Sequence, residues 1–275
     1  MIEDIKHKLD IIYKKYVNND ILKKIENRIK EKFKKYEYIS AIKRPVLLYY
    51  KKNIFIKIDE RTTDQKTYKL NENELYVGKF VKEIIIVYLL RKVLPKNIIK
   101  IKKYYFNSNK QILIMNRIEL TLYDYLKSDN RNEKTVNNIF RQIFLIIGIL
   151  QDTYKFMHND LSLKNILLNK TDKPIKYKFK NNKYIIDCEY IPILIDFATS
   201  SIHMINNKSF NVYDTETINN KYKSKNINKL DMNKYRWYIL DNNIYDNTFD
   251  LNYMFNQIEE KINIIEDYKN NMNIM

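Results

Sequence analysis

The stretch Phe156-Met-His-Asn-Asp-Leu-Ser-Leu-Lys-Asn165 decides how the rest of this chain is interpreted. It places Asp160 and Asn165 in the spacing H-x-D-x-x-x-x-N, and further along an apolar run ends in Leu194-Ile-Asp-Phe197. Asp160 can accept the proton of an attacking hydroxyl, while the Asn165 amide and the Asp196 carboxylate offer oxygens that suit Mg²⁺. In this order, each beside Ile/Leu-rich segments, the two motifs favour a phosphotransferase-type architecture over two acidic surface turns.

Composition predicts a globular chain with a substantial core. The 275 residues are 45% hydrophobic and 13% aromatic, and no apolar run reaches the length of a membrane span. The N-terminus alternates charged residues with Ile and Leu, so it lacks the apolar region of a secretory signal. Cys188 is the single cysteine, which excludes an internal disulfide framework and favours an intracellular, cytoplasmic protein.

A formal net charge of +17 raises the question of nucleic-acid, acidic-protein or membrane-surface binding. The lysines are spread along the whole chain, which is typical of a Lys/Asn/Ile/Tyr-biased composition that covers every solvated face. We therefore do not expect nucleic acid as the main partner. The charge would still assist a polyphosphate ligand.

The first half of the chain changes from helical to strand patterning. Apolar residues at helical spacing predict one or two amphipathic helices over residues 2–36, with a break and N-cap at Asn18-Asn19-Asp20. Short β-branched and aromatic runs then predict strands, and Lys57 lies in the third of them. These strands are Tyr36–Ile42, Val46–Tyr50 and Ile54–Ile58. After a polar loop, the pattern predicts a helix over Glu74–Val93, which Pro95 stops. It then predicts a hairpin formed by Ile98–Phe106 and Gln111–Met115.

The second half is mostly helical in pattern. Helices are predicted at Leu120–Leu126, Val136–Lys155, Asp231–Leu240 and Leu251–Ile265. A hairpin between Tyr177–Phe179 and Tyr184–Ile186 is predicted as an insertion between strands 166–168 and 193–195. Residues 199–230 are polar and are predicted to be a long loop.

The order of these elements resembles the eukaryotic-like protein kinase superfamily over roughly residues 40–265. More narrowly, it is similar to the divergent serine/threonine kinases of large DNA viruses. The quoted loop, Asn165-Ile-Leu-Leu and Tyr190–Phe197 carry the resemblance, together with Tyr76-Val-Gly. The resemblance implies an α+β, bilobal fold with a small sheet-plus-helix N-lobe and a shortened, mostly helical C-lobe. We expect a helical segment at 1–35, the N-lobe at 36–116 and the C-lobe at 117–275.

The resemblance also implies roles for particular residues and for ATP with Mg²⁺ or Mn²⁺. Asp160 would orient or deprotonate the substrate hydroxyl, with His158 as a structural residue of the loop, and Asn165 and Asp196 would hold the metal. Lys57 would position ATP together with a helical glutamate, either Glu83 or the alternative Glu74. Met115 would border the nucleotide pocket ahead of a hinge at 116–119, and Asp124 would meet the ribose. Asp231 or Asp250 would brace the loop.

Several residues depart from the superfamily pattern. Asn159 replaces the Arg that pairs with a phosphorylated activation segment, so we expect activity that does not depend on such phosphorylation. Ser162 replaces a phosphate-contacting Lys, and Ala198 replaces the Gly after Asp-Phe. Gly78 and Gly148 are the only glycines, so a Gly-rich phosphate loop is missing.

Three functions remain open on these residues, and a nucleic-acid-binding module without catalysis is a fourth that rests on the basic charge alone. The first is an ATP-dependent protein kinase that acts on Ser or Thr of a protein substrate, in a host cytoplasm or virion if the chain is viral. The second is a pseudokinase or scaffold, which the missing glycines favour. The third is a small-molecule kinase of the choline or aminoglycoside type, which the short C-terminal part allows.

Overall fold

A computed structural model describes residues 2–36, 46–59, 68–214 and 245–262 of the chain. The predicted strand beyond Tyr36, the turn that takes the place of a Gly-rich loop, and the predicted helix Asp231–Leu240 lie outside these residues. The helices are α1 Ile2–Tyr13, α2 Asn19–Lys32, α3 Lys79–Val93, α4 Leu122–Lys127, α5 Glu133–Tyr154 and α6 Phe249–Ile262.

The strands are short and numbered in chain order. Before the loop of residues 156–165 they are β1 Lys34–Tyr36, β2 Val46–Lys51, β3 Ile54–Asp59, β4 Lys69–Leu70, β5 Glu74–Val77, β6 Ile101–Phe106 and β7 Gln111–Asn116. Beyond it they are β8 Ile166–Lys170, β9 Ile175–Phe179, β10 Asn182–Ile186, β11 Tyr190–Leu194, β12 Met204–Ile205, β13 Lys208–Ser209 and β14 Asn211–Asp214.

A five-stranded antiparallel sheet in the order β1-β2-β3-β7-β6 forms the N-terminal part of the molecule. In its register Lys57 of β3 lies opposite Leu48 of β2 and Leu113 of β7. Because side chains alternate between the two faces of a sheet, Ile56 and Ile58 point away from Lys57. They pack in a cluster that includes Leu22 and Ile29 of α2, so α2 covers the face opposite to Lys57.

Of the one or two helices predicted for the N-terminal segment, two are present, and both pack against the sheet-rich region. Asn18 caps α2, since its Oδ1 accepts a 2.9 Å hydrogen bond from the Ile21 amide. Helix α1 buries Ile5, Leu9 and Ile12 completely in the same core as α3. On the surface of this contact, the hydroxyl of Tyr88 and the ammonium of Lys92, both on α3, donate to the Asp4 carboxylate of α1.

Helix α3 is buried around most of its circumference, as its apolar composition predicts. The prediction that it begins at Glu74 was wrong, because residues 74–77 form β5 and the helix starts at Lys79, after Gly78. Strand β5 lies in a small sheet between β4 and β14, and β14 runs parallel to it. Glu74 is therefore a strand residue, and its carboxylate accepts a 3.1 Å bond from the Tyr76 hydroxyl.

Helix α5 and the hairpin β9–β10 match their predictions and lie next to the loop of residues 156–165 in the chain and in the fold. Helix α5 runs through the core and ends at Tyr154, with Lys155 in the left-handed conformation. Strands β8 and β11 pair antiparallel beside it, and the β9–β10 hairpin is inserted between them. The architecture is an α+β kinase-like fold. The division into segments 1–35, 36–116 and 117–275 stays a prediction.

Residues 199–214 are not the long polar loop that the composition predicts. They form the hairpin β12–β13 and then β14. The turn of this hairpin consists of Asn206 and Asn207, both with positive φ (51° and 60°). Asn tolerates this conformation better than most residues, and two such residues in a row make the turn that suits a tight hairpin.

Among the described residues, no helix is long and apolar enough to cross a membrane.

Candidate active site

The segment that carries Asp160 is anchored in the core by its own buried apolar side chains. Phe156, Leu161 and Leu163 are almost fully buried, whereas Asp160 itself is partly exposed. A short 3₁₀ turn, Leu163–Asn165, brings the Asn165 amide back onto Asp160: its Nδ2 lies 2.8 Å from the Asp160 carbonyl oxygen and 3.3 Å from its Oδ2. The amide nitrogen of Asn165 is thus turned towards Asp160, which leaves its Oδ1 for another ligand.

Asp250 of α6 braces the same loop. Its two carboxylate oxygens accept hydrogen bonds from the backbone amides of His158 (2.6 Å) and Asn159 (2.8 Å). Asp250 is completely buried, and burial raises its pKa against the opposing effect of these bonds. Between the two braces considered from the sequence, Asp250 occupies this position, and Asp231 lies outside the described residues.

His158 is a buried link between the loop and the Asp-Phe segment. Its Nε2 lies 2.9 Å from the carbonyl oxygen of Ile195, and its backbone carbonyl accepts a 3.1 Å bond from the Ser200 hydroxyl. The ring also packs against Phe197, with 5.1 Å between ring centroids. Because the imidazole is fully buried among these partners, it is suited to hold the loop rather than to exchange protons with a substrate.

Asp196 faces Lys57 of β3, and both side chains are partly exposed. Its backbone adopts the left-handed conformation (φ 61°, ψ 67°), and its Oδ1 accepts a 3.1 Å bond from Lys57 Nζ. The charge of Lys57 lowers the pKa of Asp196, whose side chain is partly exposed. Burial pulls the pKa of Lys57 down, but the negative charges of Asp196 and Glu83 outweigh that effect and raise it. The pair is therefore ionised, and the Asp196 Oδ2 is left for a cation.

Glu83 lies on α3 close to this pair. It is 4% exposed, and burial raises its pKa while the charge of Lys57 opposes that rise. No direct salt bridge joins Glu83 to Lys57 among the ion pairs of the described residues; the ammonium bonds Asp196 instead. Lys79, at the start of α3, adds a second positive charge that lowers the pKa of both Glu83 and Asp196. The sequence analysis missed Lys79, since only the fold brings it to the cluster.

The structure places Met115 on the sheet that carries Lys57, and Asp124 at the start of α4. Met115 is half-buried on β7 opposite Phe55, and alternation places it on the same sheet face as Lys57. Asp124 is exposed at the start of α4, where its amide bonds Thr121 Oγ1 at 3.0 Å and its carboxylate accepts from the same hydroxyl at 2.7 Å. This reciprocal cap accounts for Asp124 structurally.

Tyr253 of α6 is a further contact of Asp160 that the sequence did not reveal. Its hydroxyl lies 3.5 Å from Asp160 Oδ1, at the outer limit of a hydrogen bond. The ring stacks on Phe249, one turn earlier on the same helix. A tyrosine in a helical pattern is ordinarily a packing residue, so only the docking of α6 under the loop makes this contact visible.

The oxygen donors of the site suit Mg²⁺. Within the described parts of the chain, no group of three or more His, Cys, Asp or Glu side chains is arranged to hold a metal. Mg²⁺ does not need such a cage, because it keeps several waters and is usually bound through one or two protein oxygens and substrate phosphates. The Asn165 Oδ1 and the Asp196 Oδ2 provide this kind of donor set, and the Ile195 amide bonds the Asn165 carbonyl at 3.0 Å, which ties the two segments together.

Comparisons with known proteins relate this chain to viral kinases. The family model described as poxvirus serine/threonine protein kinase matches residues 115–273, which include Asp160, Asn165 and Asp196 but neither Lys57 nor Glu83. The chain is also 34% identical over 83 residues to "Probable kinase 098L" of Invertebrate iridescent virus 3. That match covers 30% of this chain and 16% of the relative, so the chain matches only a small part of the relative's length.

Proposed function

The chain belongs to the poxvirus serine/threonine protein kinase family, and we propose that it is an active, ATP-dependent kinase that phosphorylates Ser or Thr of a protein. The observation that carries this proposal is the ion pair of Lys57 and Asp196, with the buried Glu83 close to it, beside the loop with Asp160 and Asn165. A fold kept only as a scaffold has no need to bury the Glu83 carboxylate beside this pair, because a buried carboxylate is costly to desolvate.

Each residue of the cluster has a role in this proposal. Asp160 accepts the proton of the acceptor hydroxyl, and Asn165 both orients Asp160 and offers its Oδ1 to the metal. Asp196 holds the metal and Lys57 contacts the nucleotide phosphates, with Glu83 and Lys79 balancing the charge around them. Mg²⁺ or Mn²⁺, when bound, neutralises charge on the transferring phosphate. The protein contributes positioning and electrostatic stabilisation rather than covalent chemistry.

The nucleotide itself lies, in this proposal, between the five-stranded sheet and the helical part of the chain. Met115 borders its base, and residues 36–116 and 117–275 act as the two lobes on either side. Lys57, Met115 and Leu113 project from one face of the sheet, which supports this placement. The membership of a viral family also leads us to propose an intracellular location, in the cytoplasm of a host cell or in the virion.

A phosphotransfer assay tests the proposal. Wild-type protein is incubated with γ-labelled ATP, Mg²⁺ or Mn²⁺ and a general protein acceptor, beside Asp160→Asn and Asp196→Asn. The matched control is Asp152→Asn, since Asp152 is exposed on α5. We expect label on Ser or Thr of the protein acceptor with the wild type and the control, and a loss of about 100-fold or more with either site variant.

The same assay separates the alternatives. ATP binding without transfer by the wild type would favour a pseudokinase or scaffold. Transfer to choline or an aminoglycoside, but never to protein, would favour a small-molecule kinase. Equal labelling by the wild type and both site variants would mean that Asp160 and Asp196 do not carry the reaction.

A further inference from the structure

After Asp196 the chain contacts two elements in turn. It first pairs with the loop of residues 156–165, and then with strand β5, which leads into α3. Met157 and Ser201 exchange two backbone hydrogen bonds of 3.0 and 2.9 Å. Further on, the Asn211 amide donates to the Asn73 carbonyl at 2.8 Å, and β14 pairs in parallel with β5. Strand β5 continues through Gly78 into α3, which carries Glu83. The segment 199–214 therefore connects the loop of Asp160 with the helix of Glu83.

A line of neutral side chains spans the same segment. Asn159 Nδ2 lies 3.2 Å from Ser201 Oγ and 3.1 Å from the Thr199 carbonyl oxygen. The ring of His203 then bridges onward, with Nε2 at 3.0 Å from Ser201 Oγ and Nδ1 at 3.1 Å from Asn211 Oδ1. Four side chains thus form one continuous path from the catalytic loop to β14.

A neutral imidazole, which burial favours, matches the donors and acceptors of this path. The Asn211 Oδ1 can only accept, so Nδ1 of His203 carries the hydrogen and Nε2 accepts from the Ser201 hydroxyl. The Ser201 oxygen in turn accepts from Asn159. Burial lowers the pKa of His203, and the nearby charge of Lys155 lowers it further, against the opposing bond to Asn211. On its other side the imidazole packs on the ring of Tyr245, at 5.7 Å between centroids.

We propose that His203 is a positioning residue, which with Asn159, Ser201 and Asn211 couples the catalytic loop to β14 and β5 and so holds Asp160 and Glu83 in working register. This role rests on the proposed kinase function. Asn159 stands where kinases that this chain resembles carry an Arg for a phosphorylated residue. The path contains no charged group, so its geometry requires no phosphate to complete it. Stacking of Tyr76 on Tyr213, at 4.8 Å between ring centroids, strengthens the β5 end.

The test compares His203→Phe with His7→Phe in the whole 275-residue chain. Phenylalanine keeps a ring of similar size but removes both hydrogen bonds, and His7 is an exposed histidine of α1 that serves as the control. Amide hydrogen exchange of β14 and β5 and steady-state kinetics with ATP and a protein acceptor are measured for each variant.

We expect His203→Phe to speed exchange in β14 and β5 about tenfold or more while exchange in α5 stays unchanged. We expect kcat to fall about tenfold with the KM for ATP within about twofold of the wild type, because the nucleotide contacts are untouched. Ser201→Ala should add little when combined with His203→Phe, since both remove the same link. His203→Asn, which keeps a donor near the Nδ1 position, should recover part of the protection of β14.

Unchanged exchange in β14 and β5, or equal acceleration throughout the molecule, would overturn the proposal; so would fully additive effects of the Ser201 and His203 changes. Hydrogen exchange needs no turnover. If the wild type transfers no phosphate, the proposed function fails, but the exchange pattern still decides whether His203 couples the two elements.

Discussion

Replacing Asp250 by alanine should destabilise the protein through the catalytic loop. The substitution leaves the buried amides of His158 and Asn159 without the acceptors that now lie at 2.6 and 2.8 Å. An unsatisfied buried donor costs about 1–3 kcal/mol, and bonds to a charged acceptor are at the upper end of that range. Two such amides together predict a loss of about 3–5 kcal/mol in the free energy of unfolding.

Urea denaturation followed by far-ultraviolet circular dichroism measures this loss. Asp250→Asn should fall between alanine and the wild type, because it keeps one oxygen acceptor and places an amide nitrogen opposite the other N–H. Asp152→Asn, a change at an exposed site, should shift the free energy of unfolding by less than about 0.5 kcal/mol. An Asp250→Ala variant within that same margin of the wild type would refute the reasoning that this carboxylate braces the loop.

Three further predictions concern other parts of the molecule. Lys57→Met should lower kcat by about 100-fold or more in the phosphotransfer assay, because it removes the ammonium that Asp196 binds; activity near wild type would contradict the proposed role. Leu9→Ala, at a fully buried site of α1, should cost about 2–5 kcal/mol of unfolding free energy, whereas Ile11→Ala, at a 37% exposed site, should cost far less; equal urea midpoints would contradict this. Burial lowers the folded pKa of His203, so its stabilising contribution is complete above about pH 6.5, the unfolded value, and decreases as the pH falls towards the folded pKa. His203→Phe should flatten that part of the pH–stability curve, and an unchanged curve would contradict it.

Sequence reasoning was most successful where a local pattern carries the structure. The apolar spacing of residues 2–36 predicts one or two helices with a break and cap at Asn18-Asn19-Asp20, and two helices are present with Asn18 as the cap. The hairpin β9–β10 follows from two β-rich runs around Lys180 and Asn181. The sequence patterns gave the wrong structure for β5 and for residues 199–214. Short strands draw much of their stability from partners that are distant in sequence. The Asn206-Asn207 pair was a usable signal for the turn of β12–β13.

The choice between Asp231 and Asp250 illustrates the same limit. Both residues lie in the C-terminal part, and neither spacing nor composition separates them. The docking of α6 under the loop brings Asp250 to the two amides, and no pattern within α6 reports that docking. The choice between Glu83 and Glu74 met the same limit. The structure places Glu74 on β5 and buries Glu83 beside Lys57.

The sequence by itself determined the types of residue available for chemistry and their order along the chain. Asp160 and Asn165 lie in one short loop, so their relative position depends on residues only a few positions away in the chain. The tertiary structure alone decided that Lys57 meets Asp196, far away in the chain, and that Asn159, Ser201, His203 and Asn211 form one path. The physical reason is that burial and hydrogen bonding between distant segments arise from the packing of whole elements, and a linear pattern records only the face that each element buries.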